Sequence, residues 1–208
     1  SPRAMKAWVN GSLVDVAEPA VTVDDHGLTT GDGCFETMKV VDGVPFALTR
    51  HLRRLERSCA GLGLRGPDDA VVREACDAVL GAAGPGAGRL RITVTAGRAP
   101  LGSGRGDVSP TVAVVAGPPP AWPPTTAVAV CPWTRNERSA VAGLKTTSYA
   151  ENVVALAWAA ERGCSEALFA NSRGELCEGT GTNVFVVLGG RLVTPPLDAG
   201  CLAGVTRE

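Results

Sequence analysis

Two-residue turns at Asn10-Gly11 and Asp42-Gly43, each flanked by short apolar runs, limit the architecture of this chain more than any other feature. Such turns join neighbouring antiparallel strands, whereas parallel strands need a crossover of about a dozen residues or more. Met5–Asn10 with Ser12–Val16 therefore reads as one hairpin, and Cys34–Val41 with Val44–Leu48 as another. Two helices are expected next. Leu52, Leu55, Cys59 and Leu62 recur at three- and four-residue steps along Thr49–Leu62, with Thr49 as the N-cap. Pro67-Asp68-Asp69 opens a second helix whose Val71, Val72, Ala75, Cys76, Val79 and Leu80 share a face, and Gly81–Gly88 breaks it.

Strand-like runs then return at Leu90–Thr95, Thr111–Ala116 and Ala127–Cys131, around a glycine-rich loop at Gly97–Gly106 and a proline-rich stretch at Gly117–Pro124. Beyond it the spacing of Tyr149, Val153, Leu156, Ala157 and Ala160 predicts a helix over Thr147–Glu161, followed by strands at Glu166–Ala170, Val184–Leu188 and Arg191–Thr194. The organisation expected is α+β in two lobes with mixed or antiparallel sheets: an N-terminal lobe over 5–116, a linker over 117–124 and a C-terminal lobe over 125–208. Residues 1–4, ahead of Met5, read as a remnant of expression.

Several function classes are disfavoured. Twenty Lys+Arg against 21 Asp+Glu leave a net charge of −1, so there is no basic excess for a nucleic-acid backbone. No apolar run approaches the ~18 residues of a membrane span, and the N-terminus has no signal-peptide core, so the cytoplasm is the expected location. Seven cysteines without a C-x-x-C pair fit reduced, buried thiols better than a disulfide framework or zinc site. His26 and His51 lack the spacing of metal ligands, and no metal is expected. A nucleophile-elbow serine and a phosphate-loop lysine motif are both missing, and Gly102-Ser103-Gly104-Arg105-Gly106 does not connect a strand to a helix.

The informative residues lie in the second half. Lys145 precedes the expected helix, where the positive helix end would disfavour an ammonium and suit the amine to nucleophilic work. A surface lysine in a loop is the plainer reading of these residues alone. Glu178 stands before a Gly/Thr-rich turn and a strand, as either a cap or a cofactor partner. Leu202-Ala203-Gly204-Val205-Thr206-Arg207 offers backbone N–H groups and a hydroxyl fit for a phosphate, or simply a turn.

Taken in order, five blocks resemble the fold-type IV pyridoxal-phosphate enzymes. They are Gly31-Asp32-Gly33-Cys34-Phe35-Glu36-Thr37, His51-Leu52-Arg53-Arg54-Leu55, Leu144-Lys145-Thr146-Thr147-Ser148-Tyr149 with Asn152, Glu178 to Asn183-Val184-Phe185, and Leu202–Arg207. That family includes branched-chain aminotransferases, D-amino acid aminotransferases and 4-amino-4-deoxychorismate lyases. The resemblance implies two lobes with pyridoxal 5′-phosphate between them. It implies Lys145 as the residue that carries the cofactor and moves the substrate proton, and Glu178 as the partner of the pyridine nitrogen. It further implies Arg54 and the Gly204, Val205 and Thr206 turn at the phosphate, and Tyr149 at the phenolic oxygen. The spacing of the apolar stripe places Arg54 off the buried face. Because the family continues past its Thr-Arg motif, the second lobe reads as incomplete.

The substrate reading rests on other positions. D-amino acid aminotransferases grip the α-carboxylate with a tyrosine, an arginine and a histidine; the matching positions here, Leu28, Leu101 and Ser103, cannot do so. Arg89 and Arg91 alternate along a strand and share one side, and Arg91 resembles the carboxylate-side arginine of the branched-chain enzymes. With Arg98 and Arg105 in the adjoining loop, a cationic mouth suits a dicarboxylate. The expected function is therefore aminodeoxychorismate lyase, with Arg91 and Arg105 binding substrate. The alternatives are an aminotransferase acting on branched-chain or other amino acids and, from another class, a cofactor-free interaction module. The family also implies a homodimer in which a partner's loop closes the site. Gly97–Gly106, too long for a tight turn, is expected to gain order only against such a partner.

Overall fold

The computed structural model describes residues 5–107 and 109–208; the segment 1–4 lies outside the described residues. The chain divides into two compact units. One runs to Ala121 and takes in Lys145–Ser148; the other comprises Trp122–Leu144 and Tyr149–Glu208. The division falls inside the proline-rich stretch. The Lys145–Ser148 segment, assigned above to the second lobe, is part of the first.

The first unit is built on strands β1 (Lys6–Val9), β2 (Ser12–Asp15), β3 (Gly33–Val41), β4 (Val44–Pro45), β5 (Arg89–Thr95) and β6 (Thr111–Gly117). They form one six-stranded sheet in the order β2-β1-β6-β5-β3-β4, and every pairing is antiparallel. A short helix α1 (His26–Thr29), which sequence patterning does not reveal, precedes β3. Helices α2 (Leu48–Gly61) and α3 (Asp69–Ala83) supply Leu52, Leu55, Cys59, Val72, Ala75, Cys76 and Val79 to a core shared with Met38, Leu90, Ile92, Val94 and Val114 of the sheet. The period of two in β5 does the sorting: Leu90, Ile92 and Val94 are buried, and Arg89, Arg91 and Thr93 take the other face.

Three local expectations change. The second hairpin strand stops at Pro45, which has no N–H to extend a ladder, so the segment to Leu48 is not strand. Helix α2 begins at Leu48 after Ala47, which turns the corner at φ 54° without a side-chain cap. Thr49 is therefore inside the helix rather than its N-cap, and its hydroxyl accepts a hydrogen bond from Arg73 Nη2 at 3.1 Å. Helix α3 continues through Gly81 and ends before Gly84, because one interior glycine costs only about 1 kcal/mol.

The second unit contains β7 (Val128–Arg135), α4 (Ala150–Ala160), β8 (Glu166–Asn171), β9 (Leu176–Gly179), β10 (Val186–Leu188) and β11 (Arg191–Val193). Strands β7 and β8 are parallel, with α4 as their crossover, and β9 pairs antiparallel to β8. β10 and β11 form a separate hairpin. The class is α+β, with an antiparallel sheet in one unit and a mixed sheet in the other. The second core gathers Cys131, Ala155, Ala159 and Ala167 around Phe169. Helix α4 starts at Ala150, later than its periodicity suggests, because the residues before it are committed to β3. No helix among the described residues is long and apolar enough to cross a membrane.

Candidate active site

Lys145 is held by its backbone on three sides. Its carbonyl accepts from the Phe35 N–H at 3.0 Å, its own N–H donates to Ser58 Oγ of α2 at 3.1 Å, and two residues on Thr147 N–H donates to Gly33 O at 2.8 Å. The segment thus lies along β3 as an extra edge piece. Gly33 permits this crowded start, since a Cβ there would fall 2.6 Å from the Val94 carbonyl oxygen. Lys145 Nζ sits 4.4 Å from the centre of the Phe35 ring, and the Arg91 guanidinium carbon lies 3.8 Å from the same centre. The structure therefore brings Lys145 and Arg91 to one aromatic ring. The helix-end argument for Lys145 does not hold, because α4 opens only at Ala150.

Arg54 is not off the buried face. It is 6% exposed, and its Nε and Nη2 donate to the two oxygens of Glu36, each at 2.7 Å. His51 Nδ1 donates to Glu36 Oε2 at 2.6 Å. Glu36 points from β3 toward α2, and this cross-element partner draws the guanidinium inward from the flank of the stripe. Burial alone pushes the Glu36 carboxyl up, but hydrogen bonds from Arg54 and His51 outweigh it and hold the group below its ordinary range. Arg54 and Ser58 are one turn apart on α2, so the arginine neighbours the side chain that grips Lys145.

Arg105 also departs from expectation. Its Nε and Nη2 donate to the two oxygens of Asp32 at 2.6 and 2.7 Å, within its own chain. His26 donates from Nδ1 to Asp32 at 2.8 Å and from Nε2 to Gly102 O at 2.6 Å. These contacts tie the Gly97–Gly106 loop to α1 and to the start of β3, so it does not wait for a partner to be anchored. The loop bounds an open cavity of about 430 Å³ lined by His26, Thr30, Asp32, Ser103 and Arg105. Hydrogen bonds from Arg105, then from His26, hold the Asp32 carboxyl below its ordinary value against the effect of burial. Hydrogen bonds to Asp32 and to Gly102 O raise the His26 pKa. A carboxylate and a carbonyl only accept, so both ring nitrogens face acceptors and the contacts favour the imidazolium form of His26.

A raised folded-state pKa means that His26 stabilises the loop at pH below its unfolded value, about 6.5, and loses this as pH rises through the folded value. With only two histidines in the chain, NMR titration resolves both. The His26 midpoint is expected above 6.5, with the Gly102–Arg105 amide signals shifting at the same midpoint; a midpoint at or below 6.5 rejects the latch.

In the second unit Glu178 lies on β9, a strand too short and glycine-flanked to be seen in the sequence. Its Oε2 accepts from the Leu202 N–H at 2.8 Å, and its Oε1 lies 3.2 Å from Arg135 Nε. That nitrogen is buried and off hydrogen-bond geometry. Arg135 also stacks 4.2 Å over Phe169 and donates to Glu151 and Asn152, so its position is fixed from several sides. Asn152 Nδ2 in turn donates to the Thr180 carbonyl. Gly204 is packed against Asn183, whose Oδ1 would be 1.9 Å from an added Cβ, so the Gly204, Val205 and Thr206 turn has room only for glycine at its head. The Leu202 contact joins Glu178 to the segment that leads into this turn. Tyr149 is the N-cap residue of α4 and is half-buried.

Residues 33–208 match the family model for amino-transferase class IV. The chain belongs to the class IV aminotransferase family. It is 35% identical to a putative branched-chain-amino-acid aminotransferase of Methanocaldococcus jannaschii, over 98% of this chain and 73% of the relative. Among solved structures, 4-amino-4-deoxychorismate lyase from Pseudomonas aeruginosa is 34% identical with a TM-score of 0.83, covering 97% of this chain and 74% of that one. A hypothetical aminotransferase from Mycobacterium tuberculosis in its PLP-bound form is 27% identical with a TM-score of 0.84, covering 97% and 75%.

Class IV aminotransferases use pyridoxal phosphate. Within the first unit, a primary amine on a fixed backbone and a buried guanidinium are groups of the kind that cofactor needs; within the second, taken by itself, so are a carboxylate in an ion pair and a glycine-headed turn. Asp32, Phe35 and Glu36, which lie in the first of the five resembling blocks, and Ser58, His26 and Arg135 had no individual role assigned from the sequence. One signal was available for Glu36. His51 and Arg54 lie one turn apart beside Leu52 and Leu55, so an acid on a facing strand is the natural partner for a basic pair at the margin of an apolar stripe.

Proposed function

We propose that this class IV enzyme is a pyridoxal-phosphate-dependent aminodeoxychorismate lyase, converting 4-amino-4-deoxychorismate into 4-aminobenzoate and pyruvate. The observation that carries this reading is the sheet face turned away from α2 and α3. Along β3 and β5 its positions are Phe35, Thr37, Lys39, Arg89, Arg91 and Thr93, and Lys145 lies over the Phe35 ring. Such a face, with cations and no carboxylate, suits a substrate with two carboxylates. The support is narrower than the sequence suggested, because Arg98 is paired with Asp24 and Arg105 with Asp32.

When bound, pyridoxal phosphate supplies an aldehyde that condenses with amines and a ring that accepts electrons from the carbon next to nitrogen. Lys145 Nζ is assigned to hold it and to take the proton from the amine-bearing carbon of the substrate. Arg91, fixed over the same ring, orients a substrate carboxylate. Arg54 and the Gly204, Val205 and Thr206 turn are assigned to the phosphate, Glu178 to the pyridine nitrogen and Tyr149 to the phenolic oxygen. Arg105 holds the loop and is not assigned to substrate. Breaking the ether bond releases the enolpyruvyl group, which becomes pyruvate, and the carbon ring becomes aromatic. The two products contain every atom of the substrate, so no oxidant or second substrate is needed.

A branched-chain aminotransferase is the second reading, favoured by Arg91, fixed on the Phe35 ring beside Lys145, and by the Methanocaldococcus relative. Incubating the loaded protein with 4-amino-4-deoxychorismate, and separately with leucine and 2-oxoglutarate, separates the two. Release of 4-aminobenzoate and pyruvate in equal amounts is expected; glutamate formation from leucine without 4-aminobenzoate replaces the lyase with the aminotransferase. The assembly we assign is a cytoplasmic homodimer. It is supported by the resemblance to fold-type IV enzymes, which implies a dimer with a partner's loop closing the site. Sedimentation of the same preparation tests the assembly.

A further inference from the structure

Glu36 is fully buried, and a buried ion pair does not by itself explain its presence. Removing two charges from water costs about as much as their attraction returns, and well-packed apolar side chains at such positions are often at least as stabilising. What the arrangement does provide is geometry. Glu36 Oε1 receives Arg54 Nε and Oε2 receives Nη2, a side-on pairing that fixes the plane of the guanidinium and hence the direction of its other donors. His51 Nδ1 closes on Oε2 from one turn earlier on α2, so the carboxylate cannot swing about its own bond. Glu36 is also the strand neighbour of Phe35. Consecutive residues of β3 point to opposite faces, so Phe35 reaches Lys145 and Arg91 while Glu36 reaches Arg54. One short stretch of strand therefore sets both groups.

We propose that Glu36, backed by His51, is a positioning residue that fixes the orientation in which Arg54 meets the cofactor phosphate. This rests on the assignment of Arg54 to the phosphate. An arginine already locked in its binding orientation loses little freedom when the anion arrives, so the preorganisation appears as affinity for the phosphate group in particular.

The measurement is phosphate discrimination, the ratio of the dissociation constants for pyridoxal and pyridoxal phosphate, from absorbance titrations of cofactor-stripped protein. Thermal unfolding of each variant confirms that it is folded. Arg54→Ala should reduce the ratio sharply; an unchanged ratio in that variant overturns the phosphate assignment itself and the proposal with it. Given a drop in Arg54→Ala, Glu36→Gln should reduce the ratio about tenfold, the scale of losing a charge-assisted hydrogen bond, with affinity for pyridoxal little changed. A Glu36→Gln ratio equal to that of the parent protein, or an equal loss of affinity for both ligands, makes Glu36 a purely structural residue and overturns the proposal. His51→Phe keeps a ring at this position and removes only the third hydrogen bond. It should move the ratio in the same direction by about threefold, and it provides the deciding comparison where Glu36→Gln does not fold.

Discussion

Lys145→Ala is expected to lose turnover by about 10,000-fold or more, because one substitution removes both the covalent attachment point and the proton-transfer group. The fold should survive, since the segment is held by the backbone of Lys145 and Thr147 and by the hydroxyls of Ser58, Thr147 and Ser148. Borohydride reduction of the loaded parent protein, followed by peptide mass spectrometry, should find the added mass on Lys145. The chain has two other lysines. Lys6 pairs with Asp15 at 3.6 Å, and Lys39 stands opposite Arg89 across the β3–β5 ladder. A label on Lys39 would transfer the assignment to the exposed end of the strand and end the reading given to Lys145.

Arg54→Ala should show two large effects at once. Loss of a charge-assisted contact to the phosphate is expected to weaken cofactor binding by about ten- to hundredfold. Stability of the cofactor-free protein should also fall by about 3–5 kcal/mol, because Glu36 is then buried with only His51 beside it. The pH dependence distinguishes this from a simple packing loss. In the parent protein the carboxyl of Glu36 is held below its ordinary value, so its contribution is present above about pH 4.3 and is lost as pH falls through the lower folded value. Without Arg54 burial dominates and Glu36 is easier to protonate, so acidification relieves the variant and the stability gap narrows. Denaturation midpoints at pH 7 and pH 5 measure this. A gap that is constant with pH would mean that the loss comes from packing around the arginine stem.

The sequence and the structure agree where the physics is local. The turn at Asn10-Gly11, the apolar stripe of α2 and the alternation of Leu90, Ile92 and Val94 can each be read from neighbouring residues, and each appears where it was expected. The differences arise where a partner is remote in the chain. Arg54 looks like a surface residue until Glu36 is brought opposite it. The Gly97–Gly106 loop looks loose until His26 and Asp32 meet Gly102 and Arg105. Helix α4 starts late because Lys145 and Thr147 bond to Phe35 and Gly33, more than a hundred positions earlier. β9 is hidden for a different reason. Its four residues carry too little pattern to stand out, and only pairing with β8 defines them.

The membership of Lys145–Ser148 in the first unit bears on how the chain is made. During synthesis, residues up to Ala121 emerge with the β3 edge at Gly33 and Phe35 still open. An uncovered strand edge is a template for pairing with other chains. The piece that closes it arrives only after a further excursion through Trp122–Leu144, and bridging that separation carries an entropic cost that favours late closure. A nascent chain stalled or cut near Ala121 would therefore be prone to edge-to-edge association, whereas one extended past Ser148 can cover its own edge. The segment that brings the lysine assigned to the chemistry is also the one that seals the sheet.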